Sequence, residues 1–326
     1  MKNNRKIFIL TEVVLAAMVV VLAGVMFVEQ TKSNRRKVSV IVQNSDDSQW
    51  SAFRYGLKMA AEDQGVEVFV ASTGEKMTLE EEISAIKYEV DNGADAVIVQ
   101  PIPGNDAALL KQLKKIQKSV PVMLIGDTVS EDGGESEFPI TTEDNYAIGK
   151  ALAEEVLKDY YQNLDDKILG IVSEAADSET VADRIKGFQD GIKDTGAEVR
   201  WSVSSLFGEA EENSLRNQPK VDIVIALDNK SLKTAAEYSA ANNLHGALVF
   251  GIGSSTEVIY YLDTGVVECL VVPDEFNVGY QSLTEVAENM RHFFRKMKNH
   301  TLSYTVVHKE ELFSKENQEI IFTMSQ

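Results

Sequence analysis

From Val38 onward the chain repeats one pattern: a short β-branched apolar run, a turn, then a stretch of helical length that is apolar on one side. Continuous apolar runs, unlike alternating ones, require a sheet buried on both faces, and the intervening helices supply the cover. The runs VSVIV (38–42), VEVFV (66–70), ADAVIVQ (94–100) and VPVMLI (120–125) predict a first set of strands, with helices at 50–64, 78–92 and 105–118. A second set is predicted from KILGIVS (167–173), AEVRWSV (197–203), VDIVIAL (221–227), ALVFGIG (247–253) and VVECLVV (266–272), with helices at 177–195, 209–217, 229–243 and 255–263. The expected fold class is therefore α/β, two similar lobes each built on a doubly wound parallel sheet. Sheets of this kind hold ligands beyond the carboxyl ends of their strands. Any site belongs in residues 43–50, 100–105, 126–129 and 173–178, at Asp228, and in 251–255.

Ahead of this body lies IFILTEVVLAAMVVVLAGVMFV (7–28), interrupted by a single charge, Glu12. Its length suffices to cross a hydrocarbon layer of about 30 Å, so one N-terminal transmembrane helix is expected. A cleaved secretory signal competes, because Val21-Leu22-Ala23 offers a peptidase site before Gly24, and cleavage makes the product a secreted one. The anchor is preferred because the apolar run continues past that point through Phe27 and Val28. Lys2, Arg5 and Lys6 precede the segment and Lys32, Arg35, Arg36 and Lys37 follow it, so charge counting leaves orientation open. A short tail (1–6) and a polar linker (29–37) flank the span.

The whole chain of 326 residues carries 32 basic and 51 acidic residues, a net charge of −19. Beyond residue 37 the imbalance is 25 against 49. A body this acidic is a poor match for phosphate backbones, and nucleic acid is excluded as a partner. The single cysteine, Cys269, lies in an apolar run and is expected to be a buried strand thiol. His245, His292, His300 and His308 lack metal-site spacing and are read as surface or structural residues. The stretch 251–256 has Thr256 where a dinucleotide fingerprint needs Gly or Ala, and Gly149-Lys150 continues into Ala151 inside a helical pattern. Ser84-Ala85-Ile86-Lys87 falls mid-helix without companions. No catalytic residue, metal or cofactor is assigned, and the chain is not expected to be an enzyme. Binding remains. Trp50 and Phe53 stand at the first strand-to-helix turn, after the polar loop Asn44-Ser45-Asp46-Asp47-Ser48-Gln49. An aromatic face beside amides and carboxylates suits a sugar ring, although Trp50 has the alternative of simply packing the helix start against its lobe.

Several stretches then fall in a familiar order: VSVIVQNSDDSQW, GADAVIVQPIPGNDA, VPVMLIGDT, TTEDNYAIGKALAEEVL, DRIKGFQDGI, VDIVIALDN, VPDEFNVGYQS and the tail VVHKEEL. In that order the chain resembles the type I periplasmic sugar-binding proteins over about residues 38–315. This ribose- and galactose-binding group also supplies the effector domain of lactose-repressor-type regulators. The resemblance implies a three-crossing hinge near 142–145, 273–276 and 303–305. A first lobe would comprise 38–142 plus 276–303 and a second 143–275 plus 304–326, closing on a ligand held between them. Carried over by position, ligand contacts fall on Gln43, Asp47, Gln49, Trp50, Gln100, Asp127 and Thr128 in the first lobe. In the second they fall on Arg184, Phe207 and Asp228, with Asp274 at the hinge. Asp127 and Asp228 have the alternative of capping the helices that follow them.

Departures accompany the match. Gly251-Ile252-Gly253 stands where the family has Gly-Phe-Asp, Pro273 where it has a hinge glutamine, and Ala182 where ribose receptors have an arginine. The resemblance implies a membrane-anchored, extracytoplasmic receptor for a small polar, sugar-like ligand, working with a membrane permease of ABC type or a sensor histidine kinase. The alternatives are a ligand-free protein-interaction module of the same fold and a doubly wound cofactor-dependent enzyme. A repressor is excluded, because an apolar span occupies the place of a helix-turn-helix.

Overall fold

Two six-stranded sheets with the same strand order carry the molecule, seen in a computed structural model. The structure describes residues 35–318 apart from 75, 105, 131–135, 161–162, 175–177, 205–214, 293–294 and 316, together with 15 and 17–21. The expected membrane span at 7–28 lies outside the described residues except for Leu15 and 17–21, which are helical. Among the described residues no helix is long and apolar enough to cross a membrane.

The first sheet is built from β1 (Lys37–Ile41), β2 (Glu67–Val70), β3 (Ala96–Val99), β4 (Val122–Ile125), β5 (Ile140–Glu143) and β11 (His300–Leu302), ordered β11-β5-β4-β3-β1-β2 and parallel throughout. The second contains β6 (Ile168–Ser173), β7 (Glu198–Ser204), β8 (Ile223–Ala226), β9 (Leu248–Ile252), β10 (Cys269–Pro273) and β12 (Tyr304–His308), ordered β12-β10-β9-β8-β6-β7. Its strands are parallel except β12, which runs antiparallel to β10. Eight helices are described: α1 (Ser51–Gln64), α2 (Leu79–Asp91), α3 (Asp106–Ile116), α4 (Asn145–Asp159), α5 (Glu179–Gly191), α6 (Asn229–Ala240), α7 (Thr256–Asp263) and α8 (Glu275–Arg291).

The central strands β3, β4 and β8 are buried at every residue, as continuous apolar runs between helical layers require. Each sheet has an apolar cluster on either face, with Val40 and Phe53 on one side of the first sheet and Val97 and Leu110 on the other. Burying each Val, Leu or Ile of this kind is worth about 1.5–3 kcal/mol.

Several elements differ from the sequence expectation. The run 266–272 becomes a strand only at Cys269, because Gly265 adopts a left-handed φ of 74° and the Val266 and Val267 amides turn back onto Tyr261 O. The helix expected to reach residue 195 stops at Gly191, before left-handed Asp194 and Gly196. Most of the helix expected at 209–217 lies outside the described residues. Strands β5 and β11, too short for a periodicity to show, had no counterpart in the apolar pattern.

The chain passes between sheets three times: at Asp144 from β5 to α4, at Asp274 from β10 to α8, and at Ser303 from β11 to β12. The crossings are laced together, Asp144 N donating to Leu302 O (2.9 Å) and Asp274 N to Ser303 O (3.3 Å). Asp144 and Asp274 each cap the helix they precede, accepting from Ala147 N and Asn277 N. The likeness continues along the two helices. Gly149 on α4 and Gly279 on α8 occupy equivalent positions, as do the buried Glu155 and Glu285. Glu155 lies 2.9 Å from His308 Nε2 and Glu285 lies 3.0 Å from His300 Nε2, so each crossover helix is tied to the strand beside the third crossing. Two of the four histidines are thus structural in the sense the sequence suggested.

Candidate functional site

The carboxyl ends of both sheets face one another across a cleft of about 240 Å³ that takes residues from both lobes and from the crossings. On the first side the loop after β1 is fixed by its own polar atoms. Asn44 takes a left-handed φ of 50°, and its Nδ2 donates to Asp47 Oδ2 (2.9 Å). Asp47 Oδ1 accepts from Gln49 N (3.0 Å) and so starts the short 3-10 turn Ser48–Trp50. Gln100, at the end of β3, holds this loop from beneath, its Oε1 accepting from Gln43 N (3.2 Å). Trp50 Nε1 donates to Gln43 O (3.0 Å), and the indole meets Phe53 edge to face at 5.5 Å between centroids. Trp50 therefore packs the start of α1 and also lines the cleft.

On the second side Arg184 is 7% exposed. Its Nε donates to Asn145 Oδ1 (2.8 Å) and its Nη1 to Leu227 O (2.8 Å), which leaves Nη2 for the cleft. Asp228 caps α6, accepting from Ser231 N and Ser231 Oγ, and its Oδ2 also accepts from Glu174 N (2.7 Å). Glu174 in turn takes Lys230 Nζ at 3.0 Å. Gly253, where the resemblance implies an aspartate, is closely approached by neighbouring side chains. A Cβ there would lie 2.9 Å from Asn229 Oδ1, which instead accepts from Ser254 N and Ser255 N at the start of α7.

Side chains of the two lobes touch directly. Asp127 Oδ1 accepts from Ser178 Oγ (3.1 Å) and Thr180 N (2.9 Å), so this first-lobe carboxylate caps α5 of the opposite lobe, where the helix dipole favours it. Thr128 donates beside it to Glu179 through both N and Oγ1. Ser48 Oγ donates to Glu257 Oε2 (3.3 Å) on α7. The arrangement is a closed one.

Among the described residues six carboxylates line the cleft, Asp47, Asp127, Glu143, Glu174, Asp228 and Glu275, against two cations, Arg184 and Lys230. Glu275, the first residue of α8, is pushed up to about 8 by burial and by the neighbouring Glu143, with Ser254 and Arg184 opposing. Burial, then Asp228, also raises Glu174, and Lys230 opposes them.

Of the residues expected from sequence, Gln43, Asp47, Gln49, Trp50, Gln100, Asp127, Arg184 and Asp228 come together around the cleft. Thr128 is engaged by Glu179 and Asp274 by the start of α8, and neither is among the residues lining the cavity. Phe207 lies outside the described residues. Sequence reasoning missed Glu143, Lys230 and Glu275. Glu143 and Glu275 adjoin the helix-capping Asp144 and Asp274, and Lys230 lies two residues after the capping Asp228; that proximity was the available signal.

Residues 38–291 match the family model described as periplasmic binding protein domain. No curated protein sequence matches the chain. Among solved structures, the fold is shared with a carbohydrate transporter solute-binding protein from Agrobacterium radiobacter in complex with D-arabinose, at 22% identity and TM-score 0.74, over 88% of this chain and 99% of that one. A glucose-galactose binding protein from Geobacillus stearothermophilus superposes at 18% identity and TM-score 0.72, covering 86% and 99%. A protein of the XylFII-LytSN complex superposes at 15% identity and TM-score 0.70, covering 85% of this chain and 98% of that one.

Proposed function

Because the chain belongs to the periplasmic binding protein domain family, we propose that it is a membrane-anchored extracytoplasmic receptor that captures a small polar, sugar-like ligand between its lobes and releases it unchanged. The observation that carries this reading is the cleft itself. Directional polar groups from both lobes, one aromatic face and a buried arginine converge at the carboxyl ends of two sheets, where this architecture holds ligands. The match to a D-arabinose-bound transporter protein supports a carbohydrate-like guest, and the match to a protein of the XylFII-LytSN complex supports a protein partner, proposed to be a sensor kinase or an uptake permease. The apolar segment 7–28 is proposed as the anchor, with the body outside the cytoplasm.

Gln43, Asp47, Gln49, Trp50, Gln100 and Arg184 are proposed as ligand contacts. Asp127, through Oδ1, and Asp228 accept from helix starts and act by shaping the site. The competing reading, a module that keeps the fold without a guest, draws on Gly253 and Pro273, where the family's polar side chains are missing. A thermal-stability screen of the full-length protein against pentoses, hexoses and polyols separates the two. A ligand that prefers the native state raises the melting temperature by mass action, and Trp50→Ala should remove that rise while leaving the unliganded protein folded. No rise with any solute favours the guestless module.

A further inference from the structure

We propose that the ligand carries a protonated amine on a polyol frame, an amino sugar being the simplest example, and that Glu143 and Glu275 receive the ammonium group. This rests on the proposed capture of a small polar ligand by the cleft and narrows its chemistry. The lining carboxylates differ in what already occupies them. Asp47, Asp127 and Asp228 each accept backbone N–H groups, and Glu174 is paired with Lys230. The carboxylate of Glu143, the last residue of β5, has no hydrogen bond or ion pair among the described residues, and that of Glu275 has only the Ser254 hydroxyl, on Oε2. The two stand on adjacent crossings and repel one another.

The cations relieve this only in part, Arg184 drawing Glu275 back down. Lys230 is committed to Glu174, and Arg184 is anchored by Asn145 Oδ1 and Leu227 O. A neutral sugar would donate hydroxyl hydrogens to these oxygens but would leave the like charges, or the proton that separates them, in place. An ammonium satisfies both carboxylates at once, and charge-assisted hydrogen bonds are about twice as strong as neutral ones. Trp50 and the free Nη2 of Arg184 remain for the ring and its hydroxyls. Burial first, and then the charge of Glu143, raise the ionisation of Glu275, and a cation held between the two carboxylates would lower it.

The test is calorimetric titration of the full-length protein in mild detergent with a panel of neutral pentoses, hexoses and polyols and with their amino counterparts, at a pH where the amines are protonated. The expected result is an amine that binds at least about tenfold more tightly than its hydroxyl parent. In Glu143→Gln/Glu275→Gln that ratio should fall to near one. The wild-type ratio stands as a test even if the double variant does not fold. Neutral solutes binding as tightly as their amines overturn the amine and leave the capture reading intact. Silence across the whole panel overturns both.

Discussion

Glu82 on α2 is fully buried, with Oε1 3.4 Å from Ile102 N and Oε2 lacking a partner in the structure. Burial raises its ionisation to about 7, against an ordinary 4.5. Between those values the native protein holds a proton that the unfolded chain has released, so stability falls as the pH rises from about 4.5 to about 7 and the full penalty remains above that. Glu82→Gln keeps the shape and cannot ionise. Its melting temperature should exceed that of the wild type at mildly alkaline pH, and the gap should close toward the acid end of the window; parallel curves would show that Glu82 does not titrate there. At this scale the sequence reveals residues whose role is set by position after a strand. Gln43, Gln100 and Asp228 are legible because an apolar run ends in front of them. Glu143 and Glu275 are not, since an acidic residue next to a helix cap reads as a solvated first-turn charge. Only the fold brings them into one cleft, through crossings far apart in the chain.

Helix pairs set the frame on which those residues sit. In the first lobe α1 lies against α8 so closely that a Cβ on Gly56 would stand 2.0 Å from Phe276 O, and one on Gly279 would stand 2.2 Å from Phe53 O. In the second, α4 meets α5 in the same way, Gly187 facing Tyr146 O at 2.0 Å and Gly149 facing Arg184 O at 2.1 Å. Backbone cannot yield as a flexible side chain does. Gly187→Ala should therefore cost about 1–3 kcal/mol in a denaturant titration, whereas Gly74→Ala, with only Lys76 O at 3.7 Å, should be near neutral. Equal effects at the two sites would contradict the close approach. The strands of both sheets are visible in the sequence wherever they exceed a few residues and are buried on both faces. Strands β5 and β11 are not, because Ile-Thr-Thr-Glu and His-Thr-Leu are too short to carry a period and owe their pairing to the neighbouring strand. The glycine contacts are equally silent, for a helical glycine does not say what approaches it.

For the molecule as a whole, closure is written in side chains that reach from one lobe to the other. Asp127 is the main one, because removing its carboxylate leaves Thr180 N and Ser178 Oγ without their acceptor. Asp127→Ala should shift unliganded protein toward an open form, read as a larger radius of gyration in solution scattering; an unchanged profile would mean that the crossings alone hold the lobes together. The two-lobe architecture was legible through the order of its motifs, since each strand end and crossover helix falls where the repeated sheet needs it. The lobe-to-lobe contacts were not, because Asp127 has the same local sequence appearance whether it caps its own lobe or the other. The central claim is that this cleft takes up a small polar solute and leaves it intact, and native mass spectrometry of the full-length protein released from detergent tests it most directly. The account predicts one small-molecule adduct, recovered chemically unaltered on denaturation and lost in Trp50→Ala. A protein that stays bare after exposure to a broad set of polar solutes, or that steadily converts one of them to product, would contradict it.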